Sequence, residues 1–313
     1  MLRCAAAVTM AFLLAAGAAG AQPAAPSPAE ARVIAQDPPY VARTLTLTGV
    51  PTPAGPAVHL FNGRDLADWE PWLGYRDPGK TYTAPAEAPL GPGGVGDVFT
   101  VVQEDGRPAL RVSGKTWGSL VHTGEFANYH LRLQYKWGPG RWAPRERLPA
   151  NNGLLYHTHG PRGSVFGTWS PSVEFEIMER SVGMAVRVGE HVRPKTFAGR
   201  DATLSYPMRR FMPGGREVEI VSPAWNVEAA RDAERPAGEW NTLDLYVVGA
   251  RAVHVVNGVP VMVLHDIATV DDRGRRTPLT RGRIQLQSEG AETFFRDIVL
   301  TPIARLPEVV GAR

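Results

Sequence analysis

The sequence predicts an all-β fold, a two-sheet antiparallel sandwich of jelly-roll type. Three observations predict it: short runs of alternating apolar and polar residues, turn-forming residues between those runs, and no long amphipathic helix. Hydrophobic residues make up 43% of the 313 and charged residues 21%, which supplies a core and excludes both wholesale disorder and a multi-span membrane protein. The formal charge of +3 arises from residues of both signs spread along the chain, with only short clusters such as Arg273, Arg275 and Arg276. A nucleic-acid partner needs a concentrated basic face, so none is expected.

Met1-Leu2-Arg3, an apolar run over 5–16 and Ala19-Gly20-Ala21 before Gln22 predict a secretory signal over 1–21. Its apolar run is too short to span a bilayer, so a periplasmic or secreted protein with no membrane span is expected. The single cysteine, Cys4, lies inside that signal, which leaves the mature chain without a disulfide or a thiol nucleophile. Residues 22–56 are rich in Ala and Pro and read as an extended tether, with 44–48 able to pair at a sheet edge. One domain is expected over 57–303, followed by a tail over 304–313.

The clearest strand is 129–137, where Tyr129, Leu131, Leu133, Tyr135 and Trp137 alternate with His130, Arg132, Gln134 and Lys136. A hairpin follows over 251–265, because Asn257-Gly258 supplies the two positive φ values of a type I′ turn between Val-rich arms. Further strands are expected at 99–103, 109–112, 118–123, 153–159, 172–178, 240–248, 283–287 and 293–300. The irregular stretches 76–97 and 197–225 break the rhythm and are expected to wall one face of the sandwich.

The candidate chemistry centres on Ser172-Val173-Glu174-Phe175-Glu176-Ile177-Met178-Glu179. On a regular strand Glu174 and Glu176 share one face while Phe175 and Ile177 turn to the core, and a bulge near Met178 would bring Glu179 to the same side. Carboxyls this close raise one another's pKa, which separates a proton holder from an ionised partner. A solvated polar face is the plainer reading of a single Glu-x-Glu. His157 and His159, at i and i+2 of another strand, could bind a divalent metal, serve as proton carriers, or simply be hydrogen-bonded structural residues. Asn152, His159, Glu179, Gln287, Glu289, Arg296 and the loop aromatic Trp169 are the candidate sugar contacts, although Arg296 could equally sit in a structural ion pair. No Walker loop, dinucleotide fingerprint, Gly-x-Ser-x-Gly elbow or His-Glu-x-x-His occurs.

The order His59 to Leu66 and Trp69, Asn152 to His157, Ser172 to Glu179, Gly238 to Asn241, Asn257-Gly258, and Leu286 to Gly290 with Phe295 to Ile298 resembles the 3-keto-disaccharide hydrolase family over 58–302. That resemblance implies a concanavalin A-like jelly roll, exported by bacteria, acting on glycosides whose C3 hydroxyl has been oxidised to a ketone. Glu174-x-Glu176-x-x-Glu179 also resembles the nucleophile, helper and acid/base strand of glycoside hydrolase family 16, where the middle residue is usually Asp. In the keto-sugar family that position is often Gln.

A C3 ketone acidifies the C2 hydrogen, so a base can form an enolate, the C1 substituent can leave, and water can add back. Such a reaction needs a base, donors or a divalent metal for the oxyanion, and an acid for the leaving oxygen. Glu174 or His157 is expected as base, Glu176 as acid or metal ligand, and Arg296 and Gln287 as positioning groups, with a carbohydrate as substrate. The alternatives are a retaining β-glucanase of the family 16 type and a non-catalytic carbohydrate-binding module.

Overall fold

The computed structural model describes residues 27–83, 85–204, 209–222 and 224–312. The expected signal over 1–21, with Cys4, lies outside them. Two antiparallel sheets face each other, as the alternation predicted. The first has eight strands in the order Asn226–Val227, Ala185–Val188, Ser172–Met178, Asn151–Thr158, Arg283–Ser288, Gly118–His122, Trp69–Leu73, Gly91–Pro92. The second, larger sheet runs from Arg209–Phe211 and Val192–Arg200 through Val259–Val270, Arg251–Val256, Asn241–Val248, Tyr129–Arg141 and Ala291–Pro302 to Arg107–Val112 and Phe99–Glu104.

The main core lies between the sheets. Leu131, Leu133 and Tyr135 of the larger sheet meet Leu154, Tyr156, Phe175, Ile177 and Leu286 of the smaller one, all buried. The hairpin turns at Asn257 and Gly258 with φ of 49° and 81°, the pair of left-handed conformations that its sequence demanded. A second apolar cluster, containing Trp117, Leu155, Trp169, Met184 and Val186, lies on the outer face of the smaller sheet, away from its partner sheet.

Two segments depart from expectation. The tether packs from residue 27 onward: Ser27 and Glu30 form a capping box on helix Pro28–Ile34, and Ile34 is buried. Beyond the helix, Asp37 is buried in an ion pair with Arg209 (2.7 Å), and Thr44–Thr48 pairs antiparallel with Glu308–Ala312, so tether and tail form one ribbon. Proline-rich composition disfavours regular elements without forbidding short ones that packing holds. Parts of the 197–225 stretch join the sheet as well, since Arg209–Phe211 and Arg216–Glu219 both pair with Val192–Arg200. Its end, at Ser222 and Trp225, reaches the outer face of the smaller sheet.

Asp37 also accepts from Arg216 at 3.1 Å, and its side chain is fully buried. Replacing it strands Arg209 without a counter-charge, a loss of about 3–5 kcal/mol for a buried pair. Asp37→Ala should therefore lower the denaturation midpoint sharply in urea unfolding, despite its position in a segment whose composition reads as an extended tether.

Candidate active site

Strand Ser172–Met178 lies between Asn151–Thr158 and Ala185–Val188. Alternation sends Val173, Phe175 and Ile177 into the main core and Glu174 and Glu176 to the outer face. Opposite Glu176 in the register stands Gly153. A Cβ there would lie 2.0 Å from Glu174 Oε1 and 2.8 Å from Gln287 Oε1, so glycine makes room for both side chains to converge. Gln287 comes from Arg283–Ser288 on the far side of Gly153, and Glu289 follows just past that strand's end.

Loops complete the group. Arg145 is buried beside the strands, with its Nη1 3.7 Å from Glu289 Oε1, while its Nη2 donates to the Pro149 carbonyl. From the 76–97 stretch, Tyr82 donates its hydroxyl to Glu289 Oε1 at 3.4 Å. Aromatic rings form a roof: Trp117 stacks on Trp169 at 6.2 Å, Tyr82 lies 5.8 Å from each, and Phe166 meets Tyr82 edge-on at 5.1 Å. Glu174 and Glu289 are each only 1% exposed and Arg145 3%. One oxygen each of Glu174, Glu176, Glu289 and Gln287, together with Nε and Nη1 of Arg145, makes no hydrogen bond within the protein.

Burial sets the electrostatics, because a carboxylate loses its hydration shell here. Burial pushes the Glu174 carboxyl well above the usual range, and Glu176 and Glu289 push it further. Burial raises Glu176 likewise, with Glu289 and Glu228 adding to the rise and Arg145 opposing it. Burial lifts Glu289 to about 8, against the pull of Arg145 and Tyr82. A single guanidinium faces three carboxyls, and all three are shifted toward the protonated form.

Glu174, Glu176, Gln287, Glu289 and Trp169 are thus brought together. Other expected members are not. Asn152 points between the sheets and donates to Thr293 Oγ1 at 3.0 Å. At His157 the strand bulges, with a register shift against Arg283–Ser288 and a φ of 53°. Its ring lies 5.4 Å from that of Tyr156, beside the backbone of Arg281 and of Gly249, a turn residue of the other sheet. Burial drops its pKa to about 4, and the bulge removes it from the carboxylates that simple alternation had placed beside it.

Met178 keeps the alternation and packs on the outer cluster, so the anticipated bulge at that position does not form. Glu179 therefore faces a different hollow, with Trp137 and Glu234. Arg296 lies on the larger sheet, where its Nε donates to Gln134 Oε1 and its guanidinium stacks 3.7 Å from the Trp240 ring. His159 pairs with His191 rather than with a carboxylate (3.0 Å). Among the described residues no three His, Cys, Asp or Glu side chains are grouped to hold a metal ion. Arg145 and Tyr82 were missed, because both come from irregular loops where periodicity carries no signal; the expected walling role of 76–97 was the one available hint for Tyr82.

The family described as 3-keto-alpha-glucoside-1,2-lyase-like domain matches residues 56–301. No curated protein matches the chain. Among solved structures, a Parabacteroides distasonis protein provisionally named a glycosyl hydrolase is 17% identical, covering 79% of this chain and 94% of its own, with a TM-score of 0.44. A Bacillus subtilis protein of unknown function with a galectin-like fold is 13% identical, over 82% and 99%, with a TM-score of 0.42. A Bacillus licheniformis β-glucanase is 11% identical, over 80% and 100%, with a TM-score of 0.36.

Raised carboxyl pKa values tie stability to pH with a definite sign. Above the ordinary carboxyl range the unfolded chain releases the Glu289 proton while the folded protein keeps it until about pH 8. The folded state then binds more protons, so stability falls as pH rises between those limits. The melting temperature should decline from about pH 5 to pH 8, and Glu289→Gln, which cannot ionise, should flatten that decline in scanning calorimetry.

Proposed function

The chain belongs to the 3-keto-alpha-glucoside-1,2-lyase-like family, and from that premise we propose that it is an exported enzyme cleaving 3-keto-glycosides by proton abstraction at C2, elimination at C1 and hydration. At the coarser level it is a carbohydrate-active, glycosyl-hydrolase-like protein. The observation that carries the finer reading is the buried group of Glu174, Glu176 and Glu289 around Arg145, where burial and mutual repulsion raise the carboxyl pKa values while Arg145 draws those of Glu176 and Glu289 back down, so that carboxyls of different proton affinity stand side by side. That coexistence suits a reaction needing a base and an acid in one site.

A carboxylate of the Glu174 and Glu176 pair takes the C2 proton. The C–H electron pair becomes the C2–C3 double bond, and the negative charge moves to the C3 oxygen. Arg145, whose Nε and Nη1 make no protein hydrogen bond, has donors suited to that oxygen. The enolate then re-forms the ketone, a C1–C2 double bond appears, and the C1–O bond breaks as a carboxylic acid of the group gives the leaving oxygen its proton. Water adding at C1, with a proton returned to C2, completes a net hydrolysis. Displacement of the family 16 type is disfavoured by Glu179, which stands in another hollow. Because the carboxyls are enclosed, the reading requires the Tyr82 and Phe166 roof to open for substrate.

Turnover of a 3-keto-glucoside in deuterated water should give product carrying deuterium at C2, with no turnover of the unoxidised glucoside or of β-glucan. Glu174→Gln should lower kcat by about a hundred- to ten-thousand-fold. Its melting temperature should hardly change, since Gln matches a protonated Glu in shape. Product without deuterium, or full activity on β-glucan, would refute the elimination route.

A further inference from the structure

Beside the roof lies a cavity of about 670 Å³ lined by Phe166, Arg187, Glu190, His191, Ser222 and Trp225, among others. We propose that it binds an uncharged pyranose: within the proposed reaction, on which this assignment rests, the sugar that leaves from C1. The volume falls in the range of small-molecule sites. Phe166 is 47% exposed and Trp225 half-buried, and aromatic faces of this kind suit the C–H faces of a pyranose.

The polar side of the cavity matches hydroxyls rather than a charge. The buried Arg187 donates to Glu190 at 2.8 Å and also to Ser222, and Ser222 in turn donates to Glu190 at 3.0 Å. The guanidinium and the carboxylate cancel, while together they offer both donors and acceptors. Arg187 Nε makes no hydrogen bond within the protein. His159 Nδ1 lies 2.8 Å from the His157 carbonyl, which can only accept, so Nδ1 donates. His159 Nε2 and His191 Nε2 share a hydrogen bond at 3.0 Å, and His191 Nδ1 is left for a hydroxyl. Burial, His159 and Arg187 all hold the His191 pKa down, in keeping with a neutral lining. His159 thus acts behind His191 and is a positioning residue, not a direct sugar contact.

Placement links the cavity to the carboxyls. Pro171 on its wall precedes Glu174 by three residues, about 10 Å of extended chain. Val165, Phe166 and Trp225 border the cavity and also belong to the roof or pack against its cluster. A pyranose over the carboxyls would hold its glycosidic partner in the cavity.

Two variants test this. Ser222→Trp fills the cavity and Trp225→Leu removes an aromatic face, with melting temperatures checking that each folds. Titration of the wild type by glucose, maltose and glucuronate, followed by ligand-observed NMR, should show saturable binding of maltose and glucose, weaker binding of glucuronate, and at least about a tenfold loss of maltose affinity in either folded variant. In kinetics, Ser222→Trp should raise KM for a 3-keto-disaccharide about tenfold more than for a methyl 3-keto-glucoside. Absence of saturable maltose binding, binding that survives in both variants, or preference for glucuronate would overturn the proposal. The titration needs no turnover: sugar binding lost in the variants, with no 3-keto-glycoside cleaved, would retain the sugar site and reject the proposed reaction.

Discussion

Glu174 and Glu176 cannot leave the outer face of the smaller sheet without carrying Phe175 and Ile177 out of the core between the sheets. Side chains on a strand alternate with a period of two, so a one-residue slip would exchange the two sets and lose the burial of several large apolar groups. The main core therefore fixes the carboxyls in place, and the remaining features of the site are consequences. Gly153 is needed because the side chains of Glu174 and Gln287 converge across it. Aromatic loops cover the face because Leu155, Met184 and Val186 make it apolar around the carboxyls. That cover takes the carboxyls out of water and raises their pKa values, with Arg145 pulling those of Glu176 and Glu289 back down.

The parts legible in the sequence were those that alternation alone determines. Strand 129–137, the Asn257-Gly258 hairpin and the two faces of 172–178 all follow from local periodicity and turn chemistry, and the structure has them. Legibility failed where the period is broken or where contacts are long-range. A bulge at His157 leaves no mark in composition, and it turned a predicted base into a buried structural residue. Asn152 lies one residue from Gly153, hence on the opposite face, and a motif run cannot display that difference. Arg296 is seven residues from Glu289, yet the chain has passed to the other sheet between them. Arg145 and Tyr82 lie in loops whose positions depend on the whole fold.

Two neighbouring environments on one sheet face divide the chemistry. The carboxyl group is enclosed, dry and suited to proton transfer. The adjacent cavity is open and internally neutral, with aromatic surface and exposed polar groups suited to holding a sugar. Phe166 contacts Tyr82 and borders the cavity, so the element that would admit substrate to the carboxyls also touches the proposed leaving-group site. Opening of the roof and occupation of the cavity are then mechanically connected in this account.

Retention of protons by the enclosed carboxyls at neutral pH is the condition on which the chemistry of the site rests. Infrared difference spectroscopy on protein labelled with 13C in the glutamate side chains observes that directly, through the carbonyl band that only a protonated carboxyl gives. The account predicts such a band at pH 7, diminished in Glu174→Gln and Glu289→Gln and fading as pH rises past about 8. Fully ionised glutamates at pH 7, with no band for either variant to diminish, would contradict it.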